Sequence, residues 1–292
     1  MTAVDVGGRR LVLTNLDKVL YPETGFTKAA VIDYAARIAP VMLPHLAGRA
    51  LTLVRCPDGV AGERFFEKRC PPHRPDWIRT GGEQDNCLVD EPAGLVWLAN
   101  LAALELHTLQ ARVDDPDRPL GVVFDLDPGP PADVRACCRV ALELRELLGR
   151  LDLEAYVKTS GGKGLHLFVP LHTPVTDDDT KGFALATGRL LAQRDPDSVV
   201  VEMAKERRRG RVFVDWSQND RNKTTVAPYS MRALPRPTVS TPVTWEEVED
   251  ATARDDPSAL GFETADVLAR VEARGDMWAG ALELRQHLPR SS

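Results

Sequence analysis

The run Gly121-Val-Val-Phe-Asp-Leu-Asp-Pro128 constrains this chain more than any other stretch. Its apolar residues Val122 to Phe124 read as a buried strand, which Pro128-Gly129 terminates. Side chains two apart on a strand share a face, so Asp125 and Asp127 leave the sheet together. Two like charges that close repel, and burying either one unpaired is costly. A divalent cation between them removes that penalty. Carboxylate oxygens suit Mg2+ or Mn2+, which also bind substrate phosphates. A bare Asp-x-Asp is more often a strand end with two solvated aspartates. Here the apolar strand and the motifs downstream favour a metal site.

From Gly121 the chain reads as strand 121–127, helix 132–149 and strand 154–159. The turn Ser160–Gly164 and strand 165–171 follow. Val134, Cys138, Ala141, Leu144 and Leu148 share one face of the helix. Thr176 with Asp177 to Asp179 opens a second helix, acidic residues being favoured at the positive end of its dipole. Strands near 198–203 and 211–216 complete a β-α-β-β-α-β order. The fold class is therefore expected to be α+β, with a ferredoxin-like (RRM-like) core. In that arrangement the first strand lies between the third and fourth, so Asp125 and Asp127 neighbour His166 and Asp215.

Ser160-Gly161-Gly162-Lys163-Gly164-Leu-His166 is not a P-loop, because the Gly-Lys-Ser/Thr spacing is absent and a strand follows. Its glycines allow positive φ and close backbone approach. Backbone amides, the Ser160 hydroxyl, Lys163 and His166 can converge on a triphosphate. A plain hairpin turn would need the glycines but not the serine, lysine and inward histidine together. With Asp125, Asp127 and Asp215 as a three-carboxylate cluster, the set suits phosphoryl transfer assisted by two metals.

Upstream, residues 11–28 form a short strand and a loop punctuated by Pro and Gly. Thr27 then caps a helix with Val31, Tyr34, Ala35 and Ile38 on one face, until Pro40 disturbs it. Lys18 and Lys28 flank the loop, either as solvated lysines or as a grip on a phosphate beside the helix start. Leu51 to Cys56, which includes Arg55, alternates as a strand. In Glu63-Arg-Phe-Phe-Glu-Lys-Arg69 only one of Phe65 and Phe66 can enter the core. The other, among Arg64, Lys68 and Arg69, is placed to stack on a base. Ala93 to Leu106 is apolar almost all round and reads as a buried helix delivering Glu105-Leu-His107. A histidine there is more often a satisfied core residue than a catalytic one. The basic turn 203–211 is usually a solvated feature, and beside a phosphate-handling site it can contact a nucleic-acid backbone. Three consecutive segments result: an N-terminal α/β module, 1–120; the core, 121–240; and a helical tail packed on it, 241–292.

A net charge of -6 over 292 residues argues against a general nucleic-acid binder and leaves local patches. No signal peptide and no membrane-spanning run is read. The five cysteines are odd in number and do not form a disulfide framework. Cys70-Pro-Pro-His73 with Cys56 and Cys87 lacks the second tight pair of a zinc site, so ordinary thiols in a reducing cytoplasm are expected.

Phe124-Asp-Leu-Asp127, Ser160-Gly-Gly-Lys-Gly-Leu-His166 and Phe213-Val-Asp-Trp-Ser-Gln-Asn219 resemble the three motifs of archaeo-eukaryotic primase-polymerases. More closely, the chain is similar to the polymerase domain of bacterial ligase D, the end-joining enzyme. That likeness runs from Leu13-Thr-Asn-Leu-Asp-Lys18 through Arg64–Arg69, Glu105-Leu-His107 and Ala227-Pro-Tyr-Ser-Met-Arg232 to Trp245. The resemblance implies a template-dependent nucleotidyltransferase that extends a primer on gapped or broken DNA, often preferring ribonucleotides. It implies that Asp125, Asp127 and Asp215 hold two Mn2+ or Mg2+ ions. Ser160, Gly161, Gly162, Lys163, Gly164, His166 and Arg232 would hold the triphosphate of an NTP or dNTP, with His107 and Gln218 lining the nucleotide pocket. Lys18 and Lys28 would grip a 5′-phosphate, Phe65 or Phe66 would stack on the template, and Arg55 and Lys68 would contact DNA. Implied partners are Ku and a separate ATP-dependent ligase at the nucleoid, since no Lys-x-Asp-Gly adenylation motif occurs here. A two-metal nuclease has little need of the triphosphate clamp. A non-catalytic end-binding module would be free to lose the aspartates.

Overall fold

In a computed structural model that describes residues 1–254, 256 and 258–289, Gly121–Pro128 is an interior strand of a six-stranded sheet. The strand order is Val199–Val200, Val212–Asp215, Gly121–Pro128, Leu165–Pro170, Tyr156–Thr159, Pro242–Val243. Val122, Phe124 and Leu126 are wholly buried on one face of this strand. The helices Val134–Gly149 and Asp177–Arg194 pack there, with the Phe183 ring 6.4 Å from that of Phe124. Each helix is closed at its start by a side-chain cap. Asp133 accepts from the Arg135 amide, and Thr176 and Asp179 form a reciprocal capping box. Val123, Asp125 and Asp127 therefore face the other way, on the side without these helices. Part of that side is covered by Trp278, which stacks on Phe168 and donates from Nε1 to the Val157 carbonyl at 3.0 Å.

This sheet belongs to the second of two units, neither continuous in sequence. The first comprises Met1–Asp114, Thr224–Ser240 and Phe262–Asp276; the second comprises Asp115–Lys223, Thr241–Gly261 and the chain from Met277. Where three consecutive segments were expected, the units interleave. The tail is shared between them. Its helix Trp245–Ala253 packs on Val134–Gly149 in the second unit, and its helix Thr264–Arg274 packs on Lys28–Leu46 in the first.

The first unit is built on another sheet, in the order Thr224–Val226, Ala103–Leu109, Leu51–Arg55, Asn86–Leu88, Arg79–Gly81, with Phe65–Glu67 also paired to Leu51–Arg55. Its first helix, Lys28–Leu46, is capped by Thr27 and runs through both Pro40 and Pro44 rather than stopping at the first. An interior proline costs about 3 kcal/mol. Val31, Ile38, Met42 and Leu46, all buried, lie on the face that outweighs it. The apolar stretch expected as one helix over 93–106 divides into the helix Pro92–Asn100 and the strand Ala103–Leu109. Ala102 turns the chain at φ 56°, and the alternation that follows is strand-like, so His107 is delivered by a strand. Neither Phe65 nor Phe66 enters the core; both are exposed, Phe66 by 60%.

Cys70 and Cys87 are joined in a disulfide, where free thiols were expected. The Cys70 amide donates to the Asp85 carbonyl, and the hairpin of Arg79–Gly81 with Asn86–Leu88 brings the second sulfur back to the first. Cys56, Cys137 and Cys138 are buried free thiols. The crosslink closes a loop across a separation of 17 residues, for which chain entropy alone gives about 3 kcal/mol. Replacing both cysteines by serine is expected to lower the unfolding free energy by about that amount, and treating the wild-type chain with a reductant should produce the same loss in a urea titration.

Candidate functional site

Antiparallel register aligns one row of polar side chains across four strands of the second unit. Asp125 is opposite His166 on one side and Asp215 on the other, and His166 is in turn opposite Lys158. Directly opposed residues share a face, so Lys158, His166, Asp125 and Asp215 stand side by side, with Asp127 two residues beyond Asp125. Lys158 Nζ lies 3.1 Å from His166 Nδ1, and His166 Nε2 lies 3.2 Å from Asp125 Oδ1. A protonated lysine can only donate, so Nδ1 accepts and Nε2 carries the proton toward Asp125. Lys158 was not singled out from the sequence. It is 3% exposed, and only the register reveals what it touches.

Asp215 is held from its other side. Its Oδ1 accepts from the Ser217 amide at 3.0 Å and hydroxyl at 2.6 Å, and its Oδ2 accepts from Gln218 Nε2 at 2.8 Å. Gln218 thus contacts the carboxylate row directly. Among the described residues, no three His, Cys, Asp or Glu side chains are already gathered into a ligand cluster. The donor chemistry nevertheless fits a hard divalent cation: three carboxylates on one face, with Asp127 exposed at the strand end.

The glycine turn adjoins this row. The Ser160 hydroxyl accepts from the amides of Gly162 and Gly164 at 3.2 and 3.1 Å, and the Ser160 amide donates to the Gly164 carbonyl. Gly161 adopts φ 72°. A side chain at Gly164 would meet the Leu126 carbonyl at 2.1 Å, so that glycine lets the turn close on the Asp-x-Asp strand. Gly162 and Lys163 are exposed at the tip, while His166 is buried at the base.

The first unit carries a separate cluster. Glu105 and His107 share a face of their strand, and Glu105 Oε2 sits 2.7 Å from His107 Nε2. Glu105 Oε1 lies 3.1 Å from Arg232 Nε and accepts from the Ala233 amide at 2.8 Å. Phe66, opposite Val54 as Glu105 is, brings its ring to 6.3 Å from that of His107. Burial raises the Glu105 pKa, but the His107 hydrogen bond, the charges of Arg232 and His107 and the Ala233 amide outweigh it and hold the carboxyl at about 2. The sequence motif holds Glu105 and His107 two positions apart, while Arg232 and Ala233 reach the carboxylate from more than a hundred positions away.

Lys18 and Lys28 meet across the hairpin of Val19–Tyr21 and Phe26–Thr27, since the Lys28 amide donates to the Lys18 carbonyl at 2.8 Å. Lys18 Nζ pairs with Asp58 at 2.7 Å, and the buried Lys28 donates to Thr14 Oγ1 at 3.2 Å. Burial, and then the neighbouring Lys18 ammonium, push Lys28 below the ordinary lysine pKa. Two neighbouring lysines of this kind are the residue type that suits a phosphate, with Lys18 here paired to Asp58. Arg55 is occupied, donating to Glu67 at 2.8 Å and to the Leu101 carbonyl at 3.0 Å, and Lys68 is half-buried.

The model of the LigD primase-polymerase domain family matches residues 27–278. A multifunctional non-homologous end joining protein LigD of Mycolicibacterium smegmatis is 45% identical over 278 residues, 92% of this chain and 36% of that protein. The bifunctional end-joining LigD of Bacillus subtilis is 30% identical over 91% of this chain and 43% of its own length. In fold, the chain is similar to the polymerase domain from Mycobacterium tuberculosis Ligase D, solved in complex with DNA. The TM-score is 0.87 at 40% identity, covering 94% of this chain and 98% of that one. The chain therefore belongs to the LigD primase-polymerase domain family. It spans about a third of the length of the mycobacterial relatives, 36%.

Glu105 has a measurable signature in acid. Its folded pKa of about 2 lies below its ordinary 4.5, so its contribution is complete above pH 4.5 and is lost as pH falls toward 2. Unfolding free energy should drop more steeply across that window in the wild type than in Glu105→Gln, as read from denaturant midpoints at stepped pH.

Proposed function

We propose that this chain is a template-dependent nucleotidyltransferase of the primase-polymerase type, filling short gaps or extending broken DNA ends in non-homologous end joining. The observation that carries this reading is the cross-strand row in which Asp125 stands between His166 and Asp215, with Asp127 on the same face. We read the sheet and its two helices as a ferredoxin-like core, because the order fourth, first, third, second strand is the one that fold requires.

Asp125, Asp127 and Asp215 would hold divalent cations, Mn2+ or Mg2+. When bound, such ions lower the pKa of a primer hydroxyl and neutralise charge on the phosphates. The protein's own part is to hold and orient. Gln218 and Ser217 fix the Asp215 carboxylate, and the Lys158–His166 pair fixes the proton that faces Asp125. Lys163 and the amides of Gly161, Gly162 and Gly164 are assigned to the β- and γ-phosphates, with Ser160 and His166 beside them. In the first unit, Arg232 is assigned to phosphate and His107 to the nucleotide. Lys18 and Lys28 are assigned to a downstream 5′-phosphate, and Phe65 or Phe66 to stacking on the template, for which their exposure suits them. Arg55 and Lys68 are assigned to the DNA backbone. Ribonucleotides are the proposed preference, and Ku and a separate ATP-dependent ligase the proposed partners, in the cytoplasm at the nucleoid. No helix among the described residues is long and apolar enough to cross a membrane.

Asp125→Ala and Asp127→Ala are each expected to abolish primer extension on gapped DNA while leaving DNA affinity intact. Near-normal extension by either would refute the metal assignment. Lys163→Ala is expected to raise the apparent KM for nucleotide about ten-fold, the effect of losing one hydrogen bond to a charged group. A titration showing unchanged nucleotide dependence and collapsed DNA binding would instead move the glycine turn to the DNA backbone.

A further inference from the structure

The first unit contains a buried carboxylate that the proposed reaction does not use directly. Glu105 is 6% exposed, and a carboxylate there is costly unless its oxygens are well paired. Its pairing is divided. One oxygen goes to His107 at 2.7 Å; the other faces Arg232 at 3.1 Å and accepts the amide that follows it in the chain. The Arg232 carbonyl is fixed in turn by the Tyr21 hydroxyl at 2.8 Å. An ionised carboxylate only accepts, so the contact with His107 requires the proton on Nε2 and leaves Nδ1 as the ring's other edge. A bridge made only for the fold would not need two nitrogen donors from separate segments. These are the two side chains of this unit assigned above to the nucleotide.

We infer that Glu105 is a positioning residue for nucleotide binding, setting the tautomer and ring orientation of His107 and aiming the Arg232 guanidinium from a single carboxylate. The inference rests on the proposed nucleotide roles of His107 and Arg232. It assigns Glu105 no contact with the substrate. Geometry supports it from both ends: the strand places Glu105 and His107 on one face by period two, and the Ala233 amide holds Arg232 at the distance where Glu105 can reach its Nε.

The test is a mutant cycle read in steady-state extension on gapped DNA, well below the melting temperature of each variant. Glu105→Gln should raise the apparent KM for nucleotide about ten-fold, with the Kd for gapped DNA unchanged. In a His107→Ala/Arg232→Ala background the same substitution should add almost nothing to KM, because the groups it orients are gone. Additive losses, or an unchanged KM in Glu105→Gln where His107→Ala and Arg232→Ala each raise it, overturn the inference. If the wild type extends primers but those two alanine variants behave normally, the nucleotide roles of His107 and Arg232 fail and the inference falls with them, while the carboxylate row is untouched. A second measurement needs no variant to fold. Nitrogen-resolved NMR of the imidazoles in the wild-type chain should show the His107 proton on Nε2, and a bare Nε2 with the proton on Nδ1 overturns the positioning role.

Discussion

Everything proposed for the second unit depends on antiparallel register. Asp125 is opposed by His166 on one neighbour and Asp215 on the other because Gly121–Pro128 pairs with both strands at that one residue. A slip of one position would send the carboxylates to the helix-covered face and bring Phe124 and Leu126 to the open one. What prevents the slip is the opposite face: Val122, Phe124 and Leu126 are fully buried beneath two helices, together with Leu165 and Leu167. The hydrophobic side of the strand thus determines the geometry of its charged side. Gly164 adds a steric check, since only a residue without a side chain lets the turn approach the Leu126 carbonyl.

The two clusters treat carboxylate charge differently. Glu105 has its oxygens distributed among an imidazole, a guanidinium and a backbone amide, and its proton affinity is depressed accordingly. The aspartate row is supported from its edges, by Lys158 through His166 and by Ser217 and Gln218 on Asp215, while Asp127 remains open to solvent. The first arrangement suits holding neighbouring groups in place. The second suits ligands that arrive later.

What could be read from the sequence follows from how local the cause is. The apolar run Val122 to Phe124, the helix-start residues Thr27 and Thr176, and the glycines of the turn all act within a few positions, and their elements formed as expected. The misses involve tertiary causes. Burial of Ile38 and Met42 carries a helix past two prolines. Apolar residues all round do not distinguish helix from buried strand, so the break at Ala102 was invisible. Cys70 and Cys87 meet because a hairpin folds back, which spacing does not encode. Phe65 and Phe66 lie on a short strand that pairs with Leu51–Arg55 alone, so neither ring is enclosed. Lys158 and Glu105 each join the cluster of their own unit through partners that register and loop return reveal.

The interleaving of the two units bears on how the chain can be synthesised. Domains usually fold as they emerge, the N-terminal one first. Here the first unit needs Thr224–Val226 to pair with Ala103–Leu109, and then Thr264–Arg274 to pack on its first helix. Its last segment ends at Asp276 of 292 residues. The second unit takes up the chain at Met277, where Trp278 is the next residue to dock. On the ribosome, neither unit can finish before the chain has been made as far as Asp276, so both close only after that point. No single proteolytic cut or gene truncation can release either one whole.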